Sequence, residues 1–539
     1  METLILKIDT PENIAAIERA AEILRNGGLV AIPTETVYGL AANALNPDAV
    51  ENIFKAKGRP QDNPLIVHIS SLEELPPLVK KIDSRLPRLA EEFWPGPLTV
   101  IMPKSDAVPP VVSAGLDTVA IRMPSHPVAR AIIRASGVPL AAPSANASGR
   151  PSPTNAMHVL LDLDGKIDAV ADSGKCSIGV ESTVISLAGK VPVLLRPGGI
   201  TPEQLERVLG KIEIAPAVFS ALPENEKAQS PGMKYKHYSP KAAVTIVEGS
   251  FEKFVRFVAL LDGSAAICFN GEGKYFKNAV EYGKSDDSLS QANGLFAALR
   301  EVDRRGFKKA FVRCPKKTGV GLAVYNRLLR AAAFRELNLT TKTPVIGITG
   351  QTGSGKTTLC TALREAGCEI IDGDIVARDA VKNPAVLKAL CDYFGNDIIA
   401  DGSLDRRKLA GRAFSSEEGT KALNDITHPE ITRIILDKID SARAQGAKAA
   451  VIDAAALFES PLVPYCDIIV SVLAKLDTRI ERIISRDSIT REAALVRANA
   501  QGSEEYYASK SDIIIRNDGE PLNEQLMPLI EIIELMGEA

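Results

Sequence analysis

Long hydrophobic runs are missing from this sequence. In 539 residues, no apolar stretch reaches the roughly 18 residues that a helix needs to cross a membrane. The first residues, METLILKIDTPEN, also lack the basic region and apolar core of a signal peptide. We therefore expect a cytoplasmic protein that does not associate with a membrane.

Cysteine and histidine are scarce, and neither sign of charge dominates. The seven cysteines are scattered, with no CxxC pair and no Cys/His cluster at the spacing of a zinc site. We expect reduced thiols and no zinc, haem, flavin or NAD. The net charge of −3 gives no global attraction to nucleic acid or to an anionic membrane.

The composition is that of a globular protein with several domains. Hydrophobic residues make up 45% and charged residues 24%, which is an ordinary balance for such proteins. The length suggests roughly three or four domains. We predict domains at residues 1–210, 243–336 and 344–539. Residues 211–242 are predicted to form a linker because they are rich in proline, serine and lysine.

Short strand-like runs separate helical patterns in the first two predicted domains. LVAIP (29–33), LIVHI (65–69) and similar runs lie between turns, which predicts an α+β domain with a twisted sheet. In residues 243–336, AVTIVEG, AAICF and KAFVR alternate with helical patterns, which predicts a small α/β domain.

The clearest motif follows the strand-like run at residues 345–349. The sequence GQTGSGKT (350–357) fits GxxxxGK[ST], and a helix is predicted directly after it. The glycines let backbone N–H groups surround phosphates, and the helix adds its positive end. Lys356 would reach the β- and γ-phosphates, and the Thr357 hydroxyl would bind Mg²⁺; the alternative is a glycine-rich turn that binds nothing. The predicted ATP-binding residues are Gly350, Gly353, Ser354, Gly355, Lys356, Thr357, Thr358 and Arg486.

Two further features favour a kinase over other P-loop proteins. The strand-like CEIIDGD ends at Asp372 and Asp374, where a carboxylate can accept a hydroxyl proton beside the P-loop. Arg479, Arg482 and Arg486 recur along one helix face, where they would neutralise a triphosphate or form a solvated basic face. We predict an α/β kinase domain with a parallel sheet that transfers the γ-phosphate of ATP to a hydroxyl.

Residues 345–535 resemble the dephospho-CoA kinase family. The similar segments include the P-loop, IIDGDIVAR (370–378), ITHPEI (426–431) and DIIIRNDG (512–519). The resemblance implies phosphorylation of the 3′-hydroxyl of dephospho-CoA, with Asp374 as the catalytic carboxylate and Lys356 as the catalytic cation. His428 and the Arg486 region would shape the acceptor site and the lid. A kinase acting on another nucleoside or nucleotide is the alternative.

Cations and small hydroxyl residues recur in residues 1–210, which contain no universal motif. Lys55, Lys57 and Arg59 alternate in FKAKGRP, which would put three cations on one side of an extended or turn segment. Arg122 and Arg196 end or follow two strand-like runs, and PTETVYG, PSANASG and ESTV supply hydroxyl groups. Together these residues predict an anion-binding cleft, against the alternative of surface lysines and capping hydroxyls.

The same segments resemble the longer, two-domain branch of the threonylcarbamoyl-AMP synthase family. IPTETVYGL (32–40), APSANASGRPSPT (142–154), SPGMKYKHYSPKA (230–242) and GVGLAVYNRLLRAA (319–332) follow the family order. The resemblance implies condensation of L-threonine, bicarbonate and ATP to threonylcarbamoyl-AMP and pyrophosphate, for modification of an adenosine in tRNA. The implied ATP-binding residues are Lys57, Arg59, Asn63, Thr118, Ser152, Arg196, Tyr235 and His237. The implied threonine-binding residues are Thr36, His68, Arg122, Ala142, Ser144 and Ser182.

The two resemblances also imply cofactors and partners. Mg²⁺ would accompany ATP in both halves, and tRNA-modification proteins would receive the threonylcarbamoyl intermediate without stable nucleic-acid binding by this chain. Tyr235 and His237 would form a flap over the nucleotide, or else belong to a solvated linker. An RNA-binding module without chemistry is the alternative for the N-terminal half, since it would use the same basic cleft.

Overall fold

The chain folds into two compact units. The first comprises Met1–Val247 and Gly263–Glu336, and the second comprises Glu248–Asp262 and Leu337–Ala539. The predicted domain boundaries stay predictions. The residues that this computed structural model describes are 2–222, 230, 238–261, 263–400, 403–519 and 522–538.

Strands and helices alternate through the first 214 residues. The strands are β1 (Leu4–Lys7), β2 (Val30–Ile32), β3 (Gly39–Asn43), β4 (Ile66–His68), β5 (Leu98–Pro103), β6 (Thr118–Arg122), β7 (Leu140–Ala141), β8 (Ala169–Asp172), β9 (Thr183–Ser186), β10 (Val193–Arg196) and β11 (Glu213–Ile214). The helices are α1 (Ile14–Arg25), α2 (Pro47–Lys57), α3 (Leu86–Phe93), α4 (Pro110–Ser113), α5 (Pro127–Ser136), α6 (Ala156–Leu163) and α7 (Pro202–Leu209). Strand β11 lies inside the stretch whose composition predicts a linker.

These strands form one mixed sheet in the order β1-β8-β2-β3-β7-β4-β6-β5-β9-β10-β11. Strand β4 runs parallel to β6, and the register puts His68 beside Arg122. Strand β5 runs antiparallel to β6, which puts Thr99 on the other side of Arg122. Three polar side chains from distant parts of the sequence are therefore neighbours on the sheet.

Helices cover both faces of this sheet. In β2, the buried residues Val30 and Ile32 pack in the cluster that contains α1 and α5 side chains. Ala31, between them, packs in the cluster on the opposite face, with residues of α2 and α3. Successive side chains of a strand point to opposite faces. A strand buried on both faces therefore appears in the sequence as a continuous apolar run, here LVAIP.

Residues 243–338 form a second sheet. Its strands and helices are β12 (Ala243–Glu248), α8 (Phe251–Ala259), β13 (Ala265–Cys268), β14 (Ala279–Glu281), α9 (Ser288–Arg304), β15 (Lys309–Arg313), α10 (Val320–Ala331) and β16 (Glu336–Asn338). The strand order is β14-β13-β15-β12-β16, and the pairings of β13 with β14, β13 with β15 and β12 with β15 are parallel.

The C-terminal part contains a parallel sheet in the order β18-β21-β17-β22-β23. Its strands are β17 (Val345–Gly350), β18 (Glu369–Asp372), β19 (Ile399–Ala400), β20 (Ser403–Leu404), β21 (Ala450–Asp453), β22 (Ile468–Leu473) and β23 (Ile513–Arg516), of which β19 and β20 pair separately. The helices are α11 (Lys356–Glu365), α12 (Gly373–Ala380), α13 (Pro384–Phe394), α14 (Arg406–Ala413), α15 (Glu417–Ala444), α16 (Leu476–Asp487), α17 (Arg491–Asn499), α18 (Glu504–Lys510) and α19 (Leu522–Gly537).

The central position of β17 decides where ligands meet this C-terminal sheet. In open parallel sheets, ligands bind beyond the carboxyl ends of the strands. Strand β17 ends at Gly350, in the glycine motif. On one side of it lie β21 and then β18, which end at Asp453 and Asp372, and these two residues are paired in register.

A mixed sheet in the N-terminal part and a parallel sheet in the C-terminal part agree with the predicted fold classes. Within the described ranges, no helix combines the length and the apolar character needed to cross a membrane.

Candidate functional sites

A pocket opens over the mixed sheet of the first unit. Strand β3, strands β4 and β6 and the loops before β9 and after β7 supply its walls, so one sheet positions residues from distant segments. It contains four cations and, among the described residues that line it, one carboxylate. The lining residues are Thr34, Thr36, Val37, Gly39, Lys57, Arg59, Ile66, His68, Arg122, Ala142, Pro143, Ser144, Asn146, Ser148, Gly149, Glu181, Ser182, Arg196 and Tyr238.

Arg122 is held at one side of the pocket by an acid and a hydroxyl. Its Nη2 lies 2.7 Å from Oε1 of Glu35, and its Nη1 donates to Oγ1 of Thr36 at 2.9 Å. Both side chains of the ion pair are buried. Burial opposes ionisation of Glu35, but the charge of Arg122, its hydrogen bond and backbone hydrogen bonds together lower the pKa of Glu35. The pair keeps a guanidinium fixed at the pocket wall.

Arg196, which also lines the pocket, is held through Ser182. Its Nε donates to the Ser182 carbonyl oxygen at 3.0 Å, and its Nη2 donates to Oγ of Ser182 at 3.1 Å. The Ser182 hydroxyl also lies 2.7 Å from the hydroxyl of Thr99. Burial lowers the pKa of Arg196. This cation is therefore oriented by Ser182, whose hydroxyl is in turn hydrogen-bonded to Thr99 on β5.

Lys57 and Arg59 lie in the pocket, whereas Lys55 does not. The sequence predicts that Lys55, Lys57 and Arg59 lie on one side of an extended or turn segment, and this prediction is wrong. Helix α2 continues through Lys57 and is capped by Gly58, which is left-handed with φ 59°. Residues two apart on a helix point in nearly opposite directions, about 200° apart. Lys55 is accordingly exposed while Lys57 is buried.

The two cations that do reach the pocket have perturbed pKa values. Nζ of Lys57 donates to the carbonyl oxygens of Ser144 and Asn146. Burial, reinforced by the charge of Arg59, lowers the pKa of Lys57 well below its usual range. Burial of the guanidinium lowers the pKa of Arg59 to about 10. Both groups would gain from a bound anion, which favours their charged forms.

His68 lies on β4, lines the same pocket and is neutral at physiological pH. Burial, followed by the charge of Arg122, lowers its pKa to about 3. Its Nδ1 lies 3.2 Å from the carbonyl oxygen of Ile66. A neutral imidazole can contact a polar ligand without adding a fifth positive charge to the pocket.

The glycine motif of the C-terminal part forms a tight turn between β17 and α11. Gly353 and Gly355 have φ values of 80° and 100°, which side chains rarely adopt. A Cβ on Gly355 would lie 2.0 Å from Nδ2 of Asn517. No side chain caps the start of α11, so its first N–H groups face the turn with the positive end of the helix dipole.

Arginine side chains of α16 contact backbone carbonyl oxygens of this turn. Nε of Arg479 donates to the Thr352 carbonyl oxygen at 3.0 Å, and Nη1 of Arg482 lies 3.3 Å from the carbonyl oxygens of Gly353 and Ser354. Arg486, one turn further, pairs with Asp487 instead. The predicted arginine face is thus present, and its first two members contact the P-loop backbone.

Lys356 and three carboxylates lie at the open side of the turn. Nζ of Lys356 donates to the Gly350 carbonyl oxygen at 2.8 Å. Burial lowers its pKa, and the charges of Asp453 and Asp374 oppose that shift. Asp453 has a raised pKa because it is buried and because Asp372 and Asp374 lie near it, although Lys356 counteracts this.

The carboxylates on this side suit a divalent cation. Thr357, Asp372 and Asp453 line one depression. Mg²⁺ prefers one or two carboxylates together with hydroxyl or water oxygens and substrate phosphates. A carboxylate whose ionisation is opposed by burial and by like charges gains from such a cation. The described residues therefore fit the predicted Mg²⁺ site.

Three sequence families match successive parts of the chain. Residues 22–198 match a family described as telomere recombination, and residues 200–333 match the C-terminal domain of threonylcarbamoyl-AMP synthase. Residues 344–523 match dephospho-CoA kinase.

Individual relatives match the same segments. A threonylcarbamoyl-AMP synthase of Pyrococcus abyssi is 48% identical over 338 residues, which are 62% of this chain and 98% of that protein. A dephospho-CoA kinase of Corynebacterium glutamicum is 40% identical over 177 residues, which are 32% of this chain and 88% of that kinase. The chain belongs to the threonylcarbamoyl-AMP synthase and dephospho-CoA kinase families. A fusion of these two enzymes, as the sequence predicts, is confirmed; we call residues 22–333 the synthase segment and residues 344–523 the kinase segment.

A solved structure supports the fold of the synthase segment. The crystal structure of P. abyssi Sua5 complexed with L-threonine superposes with a TM-score of 0.58 at 45% sequence identity, covering 63% of this chain and 99% of that chain.

The synthase pocket brings together most of the residues that the sequence predicts. They are Thr36, His68, Arg122, Ala142, Ser144 and Ser182 from the threonine set and Lys57, Arg59 and Arg196 from the ATP set. Asn63, Thr118 and Ser152 are not among the lining residues. Asn63 lies 3.5 Å from Arg59 through its carbonyl oxygen, Ser152 donates to Glu181, and Thr118 begins β6. Tyr235 and His237 lie outside the described residues.

Sequence reasoning missed Glu35 and Glu181. The two acids lie in PTETVYG and ESTV, segments noted only for their hydroxyl groups. Buried guanidinium groups require acidic partners, but neither segment contains a cation that would have singled out its acid. Tyr238 is the last of the interleaved cations and aromatics at residues 234–238, and it lines the pocket.

In the kinase segment, the predicted residues of the P-loop converge on one turn. Asp374 is exposed in the first turn of α12, close enough to Lys356 and Asp453 to influence both. His428 lies on α15 and lines a separate depression with Lys421 and others. The roles of these residues stay predictions.

Proposed function

We propose that the synthase segment condenses L-threonine, bicarbonate and ATP to threonylcarbamoyl-AMP and pyrophosphate. We further propose that the kinase segment phosphorylates the 3′-hydroxyl of dephospho-CoA to give coenzyme A. The first proposal rests on one pocket that combines four cations with several hydroxyl groups. The second rests on a P-loop lysine beside three carboxylates. The names of the relatives support both.

In this proposal Arg122 pairs with the threonine carboxylate. Its guanidinium already contacts the carboxylate of Glu35 and the hydroxyl of Thr36. Threonine carries the same two functional groups, a carboxylate and a hydroxyl. A planar, forked guanidinium suits a planar carboxylate. The remaining members of the proposed threonine site are Thr36, His68, Ala142, Ser144 and Ser182.

The ATP phosphates would meet Lys57, Arg59 and Arg196. The threonine amine and bicarbonate form a carbamate with loss of water. A carbamate oxygen then attacks the α-phosphorus, a new P–O bond forms, and the bond to pyrophosphate breaks. Cations around the phosphates stabilise the charge that develops on pyrophosphate, and the pocket supplies proximity. The reaction needs no covalent enzyme nucleophile. The other proposed ATP contacts are Asn63, Thr118, Ser152, Tyr235 and His237.

In the kinase segment, Lys356 would leave the Gly350 carbonyl oxygen and bind the β- and γ-phosphates. The uncapped N–H groups at the start of α11 would bind the same phosphates. Asp374 would accept the proton of the acceptor hydroxyl as the γ-phosphate is transferred. His428 would contact the acceptor, and Arg486 would belong to the lid.

Mg²⁺ would be held in the kinase segment by Thr357 and Asp453. When bound, it neutralises phosphate charge during transfer. In the synthase pocket, Glu181 is the one carboxylate among the described lining residues, so Mg²⁺ there would be carried by the ATP phosphates. We also propose a cytoplasmic location, the domain extents given above, and transfer of the intermediate to tRNA-modification proteins.

Two radioactive labels test the two halves separately on the full chain. With γ-labelled ATP, label should move to dephospho-CoA in the absence of threonine. With α-labelled ATP, threonine and bicarbonate should be required to form a labelled adenylate. Salt-dependent RNA binding without adenylate would favour the RNA-binding alternative. Transfer of the γ-label to nucleosides but not to dephospho-CoA would favour another kinase specificity.

A further inference from the structure

A buried arginine of α10 reaches the wall of the synthase pocket. Arg327 lies in the middle of this helix and its side chain is completely buried. Arginine is almost never fully buried unless its charge is paired. Helix α10 belongs to the part of the chain that follows the predicted linker. Arg327 lies 89 residues beyond Tyr238 (327 − 238), yet the two residues lie in the same compact unit.

The partner of Arg327 is the carboxylate that lines the pocket. Nε of Arg327 donates to Oε2 of Glu181 at 2.6 Å, and Nη2 lies 3.3 Å from the Glu181 carbonyl oxygen. The other carboxylate oxygen, Oε1, accepts from the hydroxyl of Ser152. The guanidinium also lies 5.6 Å from the ring centre of Tyr238. Arg327 thus holds Glu181 in place through an ion pair and a contact to its carbonyl oxygen. Arg327 is not itself among the lining residues of the pocket.

Glu181 is adjacent in sequence to the residue that orients Arg196. Ser182 accepts from Arg196 through both its carbonyl oxygen and its hydroxyl. Burial opposes ionisation of Glu181, but the charges of Arg327 and then Arg196 lower its pKa. Two arginines are therefore close enough to compete for one carboxylate, and that carboxylate faces a pocket proposed to receive a triphosphate.

We infer that Arg327 is a positioning residue of the synthase site: by pairing with Glu181, it keeps that carboxylate from drawing Arg196 away from the ATP phosphates. Without Arg327, Glu181 would be an uncompensated buried anion. It would then attract Arg196 and repel the phosphates. Arg122, the proposed partner of the threonine carboxylate, would be affected less, because it has its own acid, Glu35. This inference rests on the proposed function of the synthase segment.

The test uses Arg327→Met in the full chain, which removes the charge and keeps a long apolar side chain. Threonine-dependent pyrophosphate release is followed, because the kinase reaction produces no pyrophosphate. We expect the KM for ATP to rise at least about tenfold and the KM for threonine to change by less than about threefold. Equal changes in both constants, or no change, would overturn the inference.

A second substitution separates charge compensation from structural support. In Arg327→Met/Glu181→Gln, the carboxylate is neutralised while an oxygen remains to accept from Ser152. We expect the KM for ATP to return most of the way to the wild-type value, whereas a merely structural role of Arg327 predicts no recovery. Failure to recover would overturn the inference.

Arg300→Met is the matched control. Arg300 lies on α9, and its Nη2 donates to Oδ2 of Asp162 on α6 at 2.8 Å, so it joins the same two parts of the chain without contacting Glu181. The ratio of the two KM values should stay at the wild-type value in this variant; a shift as large as that of Arg327→Met would overturn the inference. If the wild-type chain releases no pyrophosphate with threonine and shows no heat of threonine binding, the proposed function fails first.

Discussion

Replacing His68 with asparagine tests the electrostatics of the synthase pocket. The side chain is buried, and its pKa in the folded chain is about 3, against an ordinary value of 6.5. Asparagine keeps an N–H group near the position of Nδ1, which lies 3.2 Å from the Ile66 carbonyl oxygen. Because asparagine does not titrate, the substitution removes one protonation site and retains a polar side chain.

The sign and size of the effect follow from linkage. Below pH 6.5, the unfolded chain binds a proton at His68 that the folded chain does not bind, so the free energy of unfolding falls as the pH falls. The loss begins near pH 6.5 and stops near the folded pKa of about 3. At pH 5, about thirty unfolded chains are protonated at this position for each neutral one. The wild-type chain therefore loses about 2 kcal/mol from His68 between pH 7.5 and pH 5.

Fluorescence of Trp94 provides the measurement. It is the one tryptophan in the sequence, it is buried, and its Nε1 donates to the Leu98 carbonyl oxygen at 2.7 Å. Urea unfolding of this unit is followed at pH 7.5 and pH 5.0 for the wild type and His68→Asn. The difference in free energy of unfolding between the two proteins should change by about 2 kcal/mol. Other titrating groups cancel in this comparison. Identical pH dependence of both proteins would show that the folded His68 titrates normally and would refute the reasoning.

Three further substitutions address the proposed sites. Lys356→Ala should reduce dephospho-CoA phosphorylation by about a thousandfold or more and leave threonine-dependent pyrophosphate release unchanged, as the two assays run side by side would show. Arg122→Ala should raise the KM for threonine more than that for ATP, and Arg196→Ala should do the reverse; equal losses in both variants would contradict the assigned roles. Gly355→Ala should abolish kinase activity, because the added Cβ would lie 2.0 Å from an asparagine nitrogen at a φ of 100°, whereas Gly411→Ala, with open space around its Cβ, should stay active.

The kinase P-loop could be located from the sequence because its parts are contiguous. Strand β17, the turn and α11 follow one another within residues 345–365. Gly353 and Gly355 are required by local backbone geometry, with φ values of 80° and 100°. The side chains that contact this turn from distant parts of the sequence were harder to predict. Asn517 lies 162 residues beyond Gly355 (517 − 355), and only the pairing of β22 with β23 brings it close.

The synthase pocket could be predicted only as a set of residue types. His68 and Arg122 are neighbours because β4 and β6 pair in a particular register, and no local pattern specifies that register. Lys57 shows a further limit. Its alternation with Lys55 reads equally well as a strand, and the helix became evident from the Asn46 cap, whose side chain accepts from two backbone N–H groups.

The kinase site could be predicted more fully than the synthase site because the two segments offer different groups to a triphosphate. The P-loop offers backbone N–H groups, so its sequence must supply glycines at fixed spacing and little else. The synthase pocket offers charged side chains from strands β6 and β10 and from the end of helix α2. Each buried charge there needs a compensating group: Glu35 for Arg122, and Arg327 for Glu181. Those partners lie 87 and 146 residues away (122 − 35 and 327 − 181). The folded arrangement, rather than a local motif, therefore decides which cations remain available to a ligand.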